Sequence, residues 1–256
     1  MGALHAGHQA LVEAARSDCA AVVASIFVNP TQFGPGEDFK RYPRNEDADL
    51  TKLEQAGVDL AFLPSVADIY PAGASTTVDV GPIGSLLEGA QRPAHFRGVA
   101  TVVTILFDLV SPNVAYFGQK DGQQAVVVNK LVRDLGLPVE IAVRPTVREA
   151  DGLAMSSRNV YLSAEERAQA VALSRALQAA AGAYARGERS ADRLRGLMSG
   201  ELMAAPLGTP DYVSVADGAT LEELQSVDRP ALASLAVRFP SARLIDCMPL
   251  AVDVAQ

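Results

Sequence analysis

Met1-Gly2-Ala3-Leu4-His5-Ala6-Gly7-His8 opens the chain, and the reading of this stretch decides the fold. Leu11, Ala14 and Ala15 recur at helical spacing, which predicts a helix from about Gly7 to Ser17 with His8 in its first turn. Side chains three residues apart on a helix point the same way, so the two imidazoles are expected together. Gly2 and Gly7 permit a positive φ or a close backbone approach that a β-carbon blocks. The N–H groups and positive dipole end of such a helix attract anions. Imidazoles beside it can donate to phosphate oxygens, and the stretch reads as a candidate nucleotide cradle. It also fits a plain helix start carrying two solvated histidines. A zinc site lacks a third Cys, His or acidic ligand at useful spacing.

Outward from this turn, strands alternate with helices. Ala20–Val28 is apolar except for Ser25, as a strand buried on both faces should be. A helix over Glu46–Ala56, stopped by Gly57, leads to a strand at Leu60–Leu63, and Thr76–Val80 is a further candidate strand. Val99, Val102, Val103, Leu106, Leu109 and Val110 predict a helix over Gly98–Val110. Val114–Phe117 is the next strand, Val127–Leu135 marks a helix ended by Gly136, and Val139–Val143 closes the series. Such alternation predicts an α/β fold with a parallel sheet covered on both faces. After Arg148 the pattern changes. A Ser163–Glu166 capping box opens a helix to about Arg186, and a second helix spans Ala191–Met203. Strands are expected at Tyr212–Val215, Leu232–Val237 and Arg243–Cys247, with a short helix near Leu221–Leu224. The expected division is a domain over 1–147 and a smaller C-terminal α+β domain over 148–256.

The 256 residues are 49% hydrophobic and 20% charged, ordinary for a globular protein. A formal charge of −8 leaves no basic surplus to neutralise a phosphate backbone, so no nucleic-acid partner is expected. Cys19 and Cys247 are far apart and read as free thiols in a reducing cytoplasm. No signal peptide and no membrane-spanning run is evident.

Ligands of open α/β sheets bind beyond the carboxyl ends of the strands. That rule selects Asn29–Arg44, where Asn29 and Gln32 supply amides able to orient a carboxylate or hydroxyl. It also selects Gly118-Gln119-Lys120-Asp121-Gly122-Gln123-Gln124, whose glycine, lysine and acid at a helix start suit phosphate and ribose, with Gln124 about one turn beyond Lys120. A third candidate is Thr146–Asn159, in which Ser156, Ser157 and Arg158 form a donor cluster for a leaving pyrophosphate. Arg92 and Arg97 around His95 fit a mobile lid, an anion funnel or a plain solvated loop. No Ser-His-Asp or Cys-His arrangement is evident, so covalent catalysis by a side chain is not indicated.

Together these segments resemble those of the pantothenate synthetase family, the AMP-forming pantoate–β-alanine ligases. The resemblance lies in Met1–His8, in Ser25-Ile26-Phe27-Val28-Asn29-Pro30-Thr31-Gln32-Phe33, in Gly118–Asp121 and in Met155-Ser156-Ser157-Arg158, and it extends over nearly the whole chain. It implies a Rossmann-like nucleotidyltransferase domain, a smaller C-terminal domain, a homodimer, and Mg-ATP as substrate with no tightly bound prosthetic group. The implied reaction joins pantoate to β-alanine through a pantoyl-adenylate, releasing AMP and pyrophosphate, within pantothenate and coenzyme A biosynthesis.

By resemblance, ATP is expected on Met1, Gly2, Ala3, Leu4, His5, Ala6, Gly7 and His8, on Gly118, Gln119, Lys120 and Asp121, on Val147, and on Met155, Ser156, Ser157 and Arg158. His8, with His5, Lys120 and Arg158, would carry the catalysis. Gln32 and Gln124 would hold pantoate, and Gln32 would also serve β-alanine. The metal ligands are not identified. A nucleotidyltransferase acting on another small acid and a non-catalytic nucleotide-binding protein are the competing readings.

The family places a strand and a Pro-Thr turn ahead of the signature on which this sequence opens. The expectation is a sheet short of that member and less support for the His5–His8 turn, from a start assigned too late or an impaired protein. Ala6 stands where the family usually has an acid, Gln119 for a glutamate and Gly122 for an aromatic, changes expected to loosen the site while keeping every named donor.

Overall fold

A computed structural model describes residues 2–250, which fall in two compact units, one running up to residue 118 and resuming over 127–144, the other made of 119–126 and the residues from 145 onward. In the first unit, helix α1 (Ala6–Asp18) leads to strand β1 (Val23–Ser25). Helix α2 (Glu46–Gln55) then precedes β2 (Leu60–Phe62), which pairs parallel with β1. Short helices α3 (Val66–Ile69) and α4 (Glu88–Gln91) precede the long helix α5 (His95–Val110). Strand β3 (Val114–Gly118) and helix α6 (Gly122–Leu135), which belongs to this unit from Val127 on, follow, and β4 (Glu140–Arg144) pairs parallel with β3 over five residues. Leu4, Val12, Ala24, Ile26 and Leu53 form one core, so the opening turn, α1, β1 and α2 share a single apolar cluster.

The second unit is a three-stranded antiparallel sheet in the order β5 (Thr209–Asp217), β6 (Ala231–Arg238), β7 (Arg243–Pro249). Helices α7 (Ala164–Ala170), α8 (Ala172–Ala185) and α9 (Ala191–Leu202) precede it. Leu173, Leu177, Leu194 and Met198 are fully buried with Val215, Leu235 and Val237 in one core. The alanines of α8 let it lie close to its neighbours, because a methyl is all that must fit.

The alternating pattern is therefore present, with four differences. The first strand is three residues long rather than Ala20–Val28, and it has one hydrogen-bonded neighbour among the described residues. Val23 is accordingly 42% exposed instead of buried on both sides. Thr76–Val80 forms no strand; Val78 N–H donates to Thr101 Oγ1 at 2.9 Å, which takes the place of a ladder bond. The helix expected from Ser163 to Arg186 is interrupted at Val171, though its Ser163–Glu166 capping box is present. No helix forms at Leu221–Leu224, because Asp217 caps a turn there through the N–H groups of Ala219 and Thr220. Leu221 then adopts a left-handed φ of 60°, which a helix cannot pass through.

Candidate active site

The first unit carries the opening turn. His5 is the N-cap of α1, and its Nδ1 accepts from Gly7 N–H at 3.2 Å. His8 Nδ1 in turn accepts from His5 N–H at 3.3 Å, and the ring centroids are 4.1 Å apart. This is a capping box built from two imidazoles where a serine and a glutamate are usual. Both Nδ1 atoms act as acceptors, which assigns the ring proton of each neutral imidazole to Nε2. The amides of His8 and Gln9 donate to His5 O at 2.8 and 3.1 Å. The amides of Gly7, His8 and Gln9 are thus all taken up by His5, the cap residue.

What fixes this turn is helix α2. Asp49, 1% exposed, accepts from Leu4 N–H at 2.7 Å and Ala3 N–H at 2.8 Å, and Lys52 Nζ donates to Leu4 O at 2.6 Å. Ala3, not a glycine, takes the left-handed φ of 51°, and the two bonds to Asp49 hold it there. Gly2 lies close to Val28, whose Cγ2 would stand 3.3 Å from an added β-carbon. Met1 lies outside the described residues. Ala6 is exposed and brings no acid to the first helical turn. A cavity of about 290 Å³ opens beside the turn, lined by Gly2, Val28, Phe39, Arg44 and Asp49 among others. Neither the histidines nor Gln32 line it.

Gln32 ends a short 3-10 turn, Pro30–Gln32. Asn29 is 2% exposed and its amide is engaged within the protein, donating to Gly98 O and accepting from Thr31 N–H and the Tyr70 hydroxyl. Arg92 and His95 are not a free lid or anion funnel either. The Arg92 guanidinium pairs with Glu37 at 2.6 Å and donates to Gln32 O at 3.1 Å, while His95 Nδ1 lies 2.9 Å from the same oxygen. Burial, with the Arg92 charge second, lowers the His95 pKa to about 4, so the ring is neutral and donates from Nδ1. Burial alone would raise the Glu37 carboxyl, but its hydrogen bonds to Arg92 and that charge hold it below the ordinary value. The cluster presents Gln32 from a fixed backbone.

In the second unit, Gln119–Asp121 forms a short turn ahead of α6, with Lys120 Nζ 3.3 Å from Asp121 Oδ1. Gln124 follows, partly buried, in the first turn of that helix. Val147 O accepts from Met155 N–H at 3.0 Å, closing a small hairpin in which Arg148 bridges Ala154. Ser156 then caps the 3-10 turn Ser157–Tyr161, its Oγ accepting from Arg158 N–H at 3.3 Å. Val147 and Met155–Arg158 are therefore brought together by the hairpin, and His5 with His8 by the cap. Asp49 and Lys52 were not visible as site residues in the sequence, because partners more than forty positions apart leave no periodic mark. Among the described residues no group of three or more His, Cys, Asp or Glu side chains could hold a metal.

The sequence model of the family described as pantoate-beta-alanine ligase matches residues 1–249. The chain is 61% identical over 247 residues to the pantothenate synthetase of Chloroflexus aurantiacus, covering 96% of this chain and 88% of the relative. It is 58% identical to that of Herpetosiphon aurantiacus over 96% of this chain and 90% of the relative. Among solved structures it is similar to the pantothenate synthetase from Thermus thermophilus, with a TM-score of 0.94 and 53% identity over 97% of this chain and 90% of that one. It is also similar to the pantoate-beta-alanine ligase from Francisella tularensis complexed with beta-gamma ATP and beta-alanine. There the TM-score is 0.77 at 33% identity, over 97% and 86% of the two chains.

Proposed function

The chain belongs to the pantoate–β-alanine ligase family, and from that premise we propose how its residues divide the work of joining the two substrates. The enzyme forms the carbon–nitrogen bond of pantothenate from pantoate and β-alanine at the expense of ATP. A carboxylate resists attack by an amine, so pantoate must first be activated. Its carboxylate oxygen attacks the α-phosphorus, the bond to the β-phosphate breaks, and pyrophosphate leaves. The amine of β-alanine then attacks the acyl carbon of the adenylate, and AMP departs with the electrons of the acyl–oxygen bond.

Negative charge gathers on the phosphates in the first step. In this reading ATP is held by Gly2–His8, Gly118–Asp121, Val147 and Met155–Arg158. His5 and His8 donate to phosphate through Nε2–H, and Lys120 and Arg158 offset the charge of the departing pyrophosphate. Gln32 and Gln124 hold pantoate, and Gln32 also serves β-alanine. Holding the adenylate beside the amine turns their encounter into a positioned step, where effective molarities reach about 10⁵ M or more. Magnesium enters as Mg-ATP, a form whose ion is usually held by substrate phosphates and one or two carboxylates. A homodimer in the cytoplasm and a functional boundary after residue 147 complete the proposal; the mass in solution decides the first.

The observation that carries this reading is the imidazole capping box at the head of α1, which fixes two Nε2–H donors side by side. Pyrophosphate release measured with pantoate, with and without β-alanine, tests it. His8→Ala is expected to lower pantoate-dependent release roughly 10²- to 10³-fold, the scale of losing one aligned transition-state donor. Unchanged release in that variant removes His8 from the mechanism.

A further inference from the structure

Consecutive residues of a strand point to opposite faces of its sheet. Asp246 and Cys247 are such a pair on β7, opposite Leu235 and Ser234 of β6 respectively. Asp246 is 2% exposed and takes the Arg148 guanidinium in a two-point bond, 2.6 Å to Oδ2 and 3.1 Å to Oδ1. Arg148 also donates to Gly152 O at 3.1 Å, so its guanidinium ties both sides of the 148–154 hairpin to the strand. On the other face the Cys247 thiol donates to Gln119 O at 2.8 Å and lies 3.6 Å from Lys120 O. Burial, with Asp246 second, pushes that thiol up to about 12, which keeps its proton in place for the bond. Gly122 makes the approach possible. A β-carbon there would stand 2.6 Å from Cys247 Sγ and 3.1 Å from Leu232, closer than the thiol and the leucine could tolerate in place.

We propose that Asp246 and Cys247 are positioning residues for ATP, one strand holding the Gln119–Asp121 turn on one face and the Val147–Arg158 segment on the other. The inference rests on the reading that these two segments bind the nucleotide. Neither residue touches substrate. Their work is to give Lys120 and Arg158 a common rigid reference, because a donor displaced by 1 Å can cost about 10²-fold in rate.

Steady-state constants for both ATP and β-alanine separate positioning from general damage. Asp246→Asn keeps the shape and removes the charge that Arg148 needs; it is expected to raise the KM for ATP about tenfold to hundredfold. Cys247→Ala is expected to raise it several-fold, and Cys247→Ser, which restores a donor to Gln119 O, to return it toward the original value. The KM for β-alanine stays within about twofold throughout. Lys120→Ala and Arg158→Ala are the controls. If these raise the ATP KM while folded Cys247→Ala leaves it unchanged, the anchoring role is overturned and the nucleotide reading stands. If neither control moves it, the nucleotide reading fails and the inference with it. Should Asp246→Asn fail to fold, the two Cys247 variants decide. Equal losses toward both substrates also overturn the proposal.

Discussion

His95 stays neutral over the range in which an exposed imidazole titrates, and that has a measurable consequence. Its pKa is near 4 in the fold against 6.5 in an open chain. Between those values the unfolded chain binds the extra proton and the native protein does not, so stability falls as the pH drops from about 6.5 toward 4. The expected decline is on the order of 2–3 kcal/mol, since one pKa unit corresponds to about 1.4 kcal/mol. The Glu37 carboxyl is held low, so its contribution is lost only as the pH falls further, through the carboxylate range. Denaturant unfolding at pH 6.5, 5.5 and 4.5 checks this. His95→Gln, which keeps a donor for Gln32 O, is expected to flatten the profile, and an equally steep decline in that variant rules His95 out as its source. The sequence marked His95 as a histidine between arginines, but burial decides whether such a ring is a donor in a cluster or a charge in solvent.

At the level of elements, helix α5 and the 3-10 turn Pro30–Gln32 meet where Gly98 has no side chain. A β-carbon at Gly98 would lie 2.5 Å from Thr31 O and 2.8 Å from Gln32 N, both backbone atoms. Gly98→Ala must therefore move the turn that presents Gln32. The expected effects are a stability loss of about 1–3 kcal/mol, as for other overpacked contacts, and a raised KM for pantoate. A normal pantoate KM in the folded variant would show that Gln32 does not hold this substrate through that backbone. The helices and most strands were legible because each has its own periodicity: α1, α2 and α9 lie within a residue of their expected ends, while α6 begins at Gly122, ahead of the apolar residues from Val127 that marked it. The apolar face expected along α5 is buried at Val99, Val102 and Val103 but not at Leu109, which is 58% exposed, because the first half of the helix meets the core and the last turn does not.

For the whole molecule, the second compact unit is discontinuous in sequence. Residues 119–126 belong with 145–256, and Gly122 lies against Leu232 and Cys247 on one face of its sheet. A fragment comprising 148–256 alone lacks that cover. It is expected to melt at a lower temperature than the same unit in the intact chain and to bind a hydrophobic dye; native-like melting of the fragment would show the strip is dispensable. A boundary drawn along the chain cannot reveal such an arrangement, because sequence order carries no sign of which later strand an early helix turn will pack on. The sequence by itself determined the alternation of elements, the paired histidines at a helix start and, through four motifs in order, the ligase family. These are local patterns, written in neighbouring residues by backbone geometry and side-chain periodicity. Only the tertiary structure decided that Asp49 and Lys52 hold the opening turn, that Arg92 and His95 clamp Gln32, and that Asp246 and Cys247 grip two loops. Each of those contacts joins residues far apart in the chain, and only packing in three dimensions decides which donor meets which acceptor.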